Sequence, residues 1–504
     1  MIPRSQIYIR IKNSGSLPDP AVYCPAHGYE NEDWVPPVQV PDPTTDQILL
    51  LCDDLVTGVI SLCYLVNTGL KKFELLDTDM NVLYSTTFSA STYQYSFPTQ
   101  GTGTYYIIRL SPNTAGAYST TFYRSTFGGY PTNYHILQAK FYTPSITSIQ
   151  NAFDGIMSFR ECIFCSTVDS LSNINYAFQN TGIEKVTFPV SLPALTNMTY
   201  TFAYTYRLKK IDWSGITMNA LQTMTYTFYY SNVREIVLPS SLPALTSINM
   251  FAANATSLVS VTMMATADSL ANIGYAFYNC YALSGTVIFP PLPALTTASQ
   301  VFYYCYLIEK IVFQGPSNTC TTMGDICRNC KSLIEITFPT SLNGMTSTSA
   351  WGYWIYGCDV LQKIVLPLSM SGLPAAVQGW WGYFSYVLQY FTTCNDWGSN
   401  SFDLMVSSHQ LLEFDQPTLR CSRFAIGYSN TQRAKCTSVE IDWVNSSYSG
   451  ASPQITLRAE LDAAELERIF TALPAVAKTI TCSGCPGYAT ADKTIATAKG
   501  WTVN

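Results

Sequence analysis

Three cysteine pairs carry the spacing that binds zinc or cycles between thiol and disulfide: Cys162/Cys165, Cys327/Cys330 and Cys482/Cys485. A zinc site needs four converging ligands, and the three histidines, His27, His135 and His409, lie far from the pairs in sequence. Sixteen cysteines in a chain of 504 residues, with no exporting leader in view, point instead to reduced thiols buried as small hydrophobes. No metal and no cofactor is expected.

Other constellations read the same way. Asp77-Thr78-Asp79-Met80-Asn81 opens like a calcium loop, but Val82 stands where the sharp turn needs Gly and Phe88 where a bidentate Glu belongs, so a turn between strands is expected. No G-x-S-x-G nucleophile elbow occurs. Asp154, Asp212, Glu235, Asp325, Glu335 and Asp442 could supply paired carboxylates for sugar cleavage, yet most recur at matching positions of a repeat, as residues of a solvated face do. The expectation is a protein without catalytic residues.

The residue type that stands out is tyrosine, with 35 copies, while charged residues make up 12%, about half the ~25% usual in soluble domains. Tyr176, Tyr200, Tyr226 and Tyr275 each precede a repeated aromatic by two residues, and Tyr204, Tyr229, Tyr278 and Tyr304 follow it closely. Columns of rings are expected. They either cover the protein's own core or form an exposed track, joined by Trp354 and Trp381 and enriched nearby in Trp351 and Trp380, suited to glycan rings or a protein groove. These ten, eight Tyr and two Trp, are the candidate binding residues.

What positions them is a repeat. A run approximating apolar-x-x-apolar-x-apolar-Pro starts at Ile183, Leu208, Val233, Leu258, Leu283, Ile308 and Leu333, each 25 residues after the last. Looser copies start at Phe159, Leu361, Val387, Leu411 and Ser438, making twelve. Each run ends in period-2 alternation, as in Ile334/Ile336/Phe338, and many stop at proline, which predicts a short strand per coil. Leu-Pro-Ala-Leu-Thr at 192–196, 242–246 and 292–296 and the aromatics Phe202, Phe228, Phe277 and Phe302 supply the other inward corners. A single coil cannot bury its own apolar face, so coils must stack, and at about 4.8 Å per strand twelve make a body roughly 50 Å long.

Cys280, Cys305, Cys330 and Cys358 each stand three residues before the leading residue of a run. The string Ala276-Phe277-Tyr278-Asn279-Cys280-Tyr281-Ala282-Leu283, echoed by Val301-Phe302-Tyr303-Tyr304-Cys305, closely resembles the BspA-like class of leucine-rich repeats over residues 147–443. The resemblance implies a right-handed solenoid. It also implies contact functions, since that class occurs in bacterial and protozoan surface adhesins, and similar arrays occur in predicted tail or surface proteins of bacteriophages of gut Bacteroidetes.

The fold expected is mainly β: an extended proline-punctuated arm over 1–45, a small β-sandwich over 46–144, a leucine-rich-repeat solenoid of 25-residue coils over 145–445, and a capping segment over 446–504 with a short helix around Leu461–Phe470. Strands are read at Val59–Val66, Lys71–Leu76, Val82–Phe88, Tyr93–Phe97 and Tyr105–Leu110. A net charge of −6 favours neither nucleic acid nor an anionic membrane, and Ile48–Val66, broken by Asp53 and Asp54, is too short to span one. The amino terminus lacks the apolar segment and cleavage site of a signal peptide. On that ground the reading is a bacteriophage virion protein, a tail fibre, appendage or capsid decoration, rather than a bacterial surface adhesin or a polysaccharide-degrading enzyme. Residues 1–144 would meet other virion proteins, the solenoid a host glycan or protein, and a homo-oligomer is expected.

Overall fold

The structure is a computed structural model. It describes residues 34–43, 47–53, 59–63, 71–88, 92–96, 105–112, 118–119, 136–165, 167–346, 354–370, 390–392, 401–404, 413–416, 420–421, 423–427, 433–443, 446–448 and 453–504. His27, His135, His409, Trp351, Trp380 and Trp381 lie outside the described residues.

Nine strands precede the repeats: β1 (Gln47–Asp53), β2 (Val59–Cys63), β3 (Lys71–Leu76), β4 (Val82–Phe88), β5 (Thr92–Ser96), β6 (Tyr105–Pro112), β7 (Tyr118–Ser119), β8 (Ile136–Tyr142) and β9 (Ile146–Ser148). Alternation sets the faces of the first sheet. Along β1, Ile48, Leu50 and Cys52 point to the main core, whereas Leu49 and Leu51 point to a second cluster with Val40, Leu76 and Ile107. That second cluster is covered by the segment 34–43, which has no strand or helix and lies on the chain itself. Asp42 there accepts from Lys140 Nζ at 2.7 Å, and the Trp34 backbone N–H donates to Glu184 at 3.3 Å.

All twelve runs read from the sequence carry a strand: β10 (Glu161–Phe164), β11 (Lys185–Thr187), β12 (Lys210–Asp212), β13 (Glu235–Val237), β14 (Ser260–Thr262), β15 (Gly285–Phe289), β16 (Ile308–Phe313), β17 (Glu335–Thr337), β18 (Lys363–Val365), β19 (Tyr390–Thr392), then β21 (Glu413–Gln416) and β24 (Glu440–Ile441). Between and after these lie β20 (Ser401–Leu404), β22 (Arg420–Cys421), β23 (Arg423–Ile426), β25 (Ser447–Tyr448), β26 (Ile455–Leu457), β27 (Thr479–Thr481) and β28 (Thr502–Val503). Neighbouring coil strands pair in parallel at the repeat stride, as in Ile211↔Ile236↔Val261 and Ile311↔Ile336↔Ile364.

The strand ladder is broken into blocks. One sheet has the order β11-β10-β8-β1-β6-β3-β4, so the solenoid's first strands and the amino-terminal strands share a single sheet. A second contains β12-β13-β14, and a third runs β15-β16-β17-β18-β19-β21-β24. The core does not break with it, since one buried cluster extends from Ile48 to Trp501.

Stacking continues past residue 445. Strands β23, β26, β27 and β28 pair in parallel, with Ile455 opposite Ile480, 25 residues on. A helix, α1 (Ala463–Ala472), occupies one of these coils; Asp462 caps it by accepting the Glu465 N–H, and Leu466, Ile469 and Phe470 face the core. The helix replaces the irregular turns of earlier coils while keeping the strand spacing.

Candidate functional site: a tyrosine-lined face

Opposite corners of each coil are built differently. The strand corner alternates, while the corner after Leu-Pro-Ala-Leu-Thr is a chain of tight turns whose N–H groups bond to carbonyls about 25 residues on, as in Tyr200 to Thr225, Phe202 to Thr227 and Tyr204 to Tyr229. Inward it places Phe153, Phe178, Phe202 and Phe228, whose rings stack at 5.8, 5.2 and 5.4 Å between centroids.

Outward it places the tyrosines. Tyr176, Tyr200 and Tyr226 stack nearly parallel, 5.2 and 4.5 Å apart. Tyr204 stacks on Tyr230 at 5.5 Å, and Tyr229 wedges edge-on against Tyr200, Tyr204, Tyr226 and Tyr230. Met250 and Asn254 interrupt both columns in the next coil. A second group follows, with Tyr278 on Tyr303 at 5.1 Å, Tyr281 on Tyr306 at 5.3 Å, Tyr304 edge-on to Tyr303, and Tyr275 tilted against Tyr278. The Arg328 guanidinium lies over the rings of Tyr303 and Tyr356 at 5.6 and 5.0 Å.

The eight candidate tyrosines therefore fall on one face, in two groups. Tyr230, Tyr281, Tyr303 and Tyr306 belong to it and were missed, although Tyr278/Tyr303 and Tyr281/Tyr306 repeat at the 25-residue stride. Trp354 is a correction: it is 3% exposed and stacks on Phe338 at 4.4 Å, so the indole is core and not track. Its size and low polarity are best satisfied inside the coil.

The backbone beneath these rings is unusual. Tyr176, Tyr200, Tyr226 and Tyr275 have φ of 54 to 57°, and Tyr204, Tyr230 and Tyr304 of 54 to 61°. At the second of these sites other coils carry Gly155, Asn180, Asn254, Asn279, Asn329 and Gly357, the residue types that tolerate a left-handed backbone. A tyrosine there costs about 1–2 kcal/mol relative to a relaxed conformation.

Burial first, then the phenols of Tyr226, Tyr176, Tyr229 and Tyr204, push Tyr200 up to about 12. Tyr204, Tyr229 and Tyr278 rise for the same leading reason. The hydroxyls thus stay protonated donors through the physiological range.

The other candidate chemistry resolves into structure. Cys280, Cys305 and Cys330 each donate to the carbonyl 28 residues earlier, on Ala252, Phe277 and Phe302 at 3.0 to 3.1 Å; Cys485 does the same to Leu457 at 3.3 Å. In earlier coils Thr181 and Thr205 hold the equivalent place and donate within their own coil. Cys327 and Cys330 donate to carbonyls of opposite neighbours, Trp354 and Phe302, and both thiols also meet the Cys358 thiol of the next coil. Burial pushes these thiols well up, as it does Cys320 and Cys482, both to about 12. Among the described residues no group of three His, Cys, Asp or Glu could hold a metal ion.

The Asp77 carboxylate is spent on its own turn, accepting from the backbones of Asp79 and Asn81 and from the Asn81 amide at 2.8 to 3.0 Å. Glu235 and Glu335 hold lysines on neighbouring strands: Lys210 at 2.9 Å, and Lys310 and Lys363 at 3.0 and 3.2 Å. Asp325 pairs with Arg328 at 3.2 Å.

The model of the BspA type leucine rich repeat region matches residues 147–284 and 246–376, in six copies. The central array is a BspA-type leucine-rich repeat region. A solved leucine-rich repeat protein of T. pallidum is similar at 18% identity over 36% of this chain and 77% of that one, with a TM-score of 0.22. No curated protein matches the chain significantly. In this BspA-type array Leu, Ile, Phe and Cys form the buried columns and the tyrosines lie outside them.

Proposed function

We propose that the chain is a non-enzymatic contact protein of a bacteriophage virion, a tail appendage or decoration, whose BspA-type array presents the tyrosine face to a host-surface glycan or protein. The observation that carries the contact function is the placement of Tyr204, Tyr230 and Tyr304 on left-handed backbone, where Asn or Gly serves in other coils at lower conformational cost. Rings stacked face to face turn edges and hydroxyls outward, giving a rigid amphipathic surface that loses little side-chain entropy on binding. Its low charge content leaves few strongly hydrated groups to strip from the interface.

Immunogold labelling of purified particles tests the virion assignment; a label found on bacterial envelopes and not on particles would replace it with the adhesin reading. Binding of the purified chain to host cells tests the face: Tyr200→Ser with Tyr226→Ser should weaken it about tenfold or more while circular dichroism is unchanged. Binding untouched by that pair moves the contact elsewhere on the array.

A further inference from the structure

At several steps the strand corner sets opposite charges on neighbouring coils against each other. Glu161 faces Lys185 at 3.4 Å, Lys210 faces Glu235 at 2.9 Å, and Lys310, Glu335 and Lys363 continue the pattern. Ser260 and Thr286, between Glu235 and Lys310 in this row, are uncharged, and at one step like charges adjoin. Lys185 and Lys210 are both third in their runs, so two lysines meet where β11 should pair with β12, and there the sheet ends and a new one begins. Like charges side by side oppose strand pairing.

A second cause lies one position further in. Where other coils place Leu238, Phe313 or Phe338, this coil places Trp213, 1% exposed and packed against Phe202 and Phe228. The indole fills the interior, and Phe188 of the preceding coil, edge-on to it at 6.4 Å, is left half-exposed with Val186. Among the described residues the buried Trp213 indole N–H has no hydrogen-bond partner.

The result is a cleft of about 440 Å³ whose walls include Lys185, Phe188, Lys210, Asp212, Ser214 and Ile216. Its rim is cationic, with Lys185 69% and Lys210 52% exposed at the side chain. Its floor is apolar and aromatic. Beside Lys210 stands a carboxylate, Asp212, 3.9 Å from the Lys210 ammonium and held by the Ser214 N–H and hydroxyl at 3.1 and 2.7 Å.

We propose that this cleft binds an acidic sugar residue, its carboxylate between the Lys185 and Lys210 ammonium groups, its apolar ring face on Phe188 and Ile216, and its hydroxyls toward Asp212 and Ser214. The volume suits one or two pyranose rings. Asp212 selects against a bare dianion such as phosphate, which it would repel, and favours a ligand that brings donors along with its charge. Each lysine keeps its carboxylate on the outer side, Glu161 or Glu235, and the ligand's carboxylate bridges the like-charged step between them.

Calorimetry on the full chain with glucuronate- and galacturonate-containing disaccharides, their neutral counterparts and sodium acetate tests this. The acidic disaccharides should bind, with the neutral ones about tenfold weaker or worse, and the preference should vanish in Lys185→Gln with Lys210→Gln. Both lysines are exposed, and unchanged circular dichroism verifies that the variant folds. Absence of binding by every acidic probe, equal binding of neutral ones, acetate binding as well as the disaccharides, or full affinity in the double variant would each overturn the proposal. Loss of binding in Tyr200→Ser with Tyr226→Ser instead would place the ligand on the tyrosine face and overturn it too.

Discussion

The tyrosines separate what stabilises a side chain from what stabilises its backbone. Tyr230 sits at φ 54° and is exposed, at a site that Asn254 and Asn279 fill in the coils beyond. Replacing Tyr230 by Asn should leave the denaturation midpoint equal or higher, within about 1 kcal/mol, because relief of the left-handed cost offsets the lost ring contacts with Tyr204 and Tyr229. Cell binding should fall in the same variant. A marked loss of stability would mean that the rings are there for packing alone. The tyrosines and their spacing were legible from residue types, whereas the sign of φ was not, since nothing local to a tyrosine announces it; the Asn and Gly at matching positions were the signal. Trp354 misled because an indole in an irregular coil reads the same whether it faces in or out.

At the same scale, burial raises Glu335 while its hydrogen bonds to Lys310 and Lys363 and their charges lower it further, so its carboxyl sits below the ordinary range. A depressed carboxylate adds stability that is present above its unfolded value of about 4.3 and is lost as pH falls through its folded value. The stability difference between the chain and Glu335→Gln should therefore be present at pH 7 and shrink as the pH falls below the ordinary carboxylate value of about 4.3 in denaturant titrations. A difference unchanged with pH would show that the ladder contributes shape and not charge.

Among the elements, the coil was readable because its stride is constant: inward residues must coincide from coil to coil, and Ile211, Ile236 and Val261 do so in register. Ile236 is fully buried there. Ile236→Val should cost about 0.5–1.5 kcal/mol, whereas Ile236→Asp puts a carboxyl into the shared core and should abolish the cooperative thermal transition across the array. Loss confined to one coil, seen by hydrogen exchange, would contradict stacking as the source of stability. The breaks in the ladder were harder to foresee. They depend on which residues face each other across coils, as with Lys185 and Lys210, and on how far a bulky Trp213 displaces its neighbour, and a pattern read along the chain weighs neither.

For the molecule as a whole, the amino-terminal strands close one end of the core. β8 pairs antiparallel with β1 on one side and parallel with β10 on the other, so it converts an antiparallel sheet into the solenoid's parallel ladder. Removing residues 1–112 would bare the β8 edge together with Ala139 and Phe141, both fully buried in the intact chain. Such a truncation should self-associate, as measured by light scattering, while the intact chain under the same conditions does so less. A monodisperse, folded truncation would show that the coils close their own end.

The division of the strand ladder into blocks, over a core that runs uninterrupted, bears on mechanics. At the joints before β12 and β15 the strand corner has no ladder, while backbone bonds of the turn corner, such as Tyr200 to Thr225 and Ile273 to Thr297, still cross, so bending there opens the strand corner about a hinge at the turn corner. A stack bent that way flexes at two hinges while the coils of each block between them move as one piece.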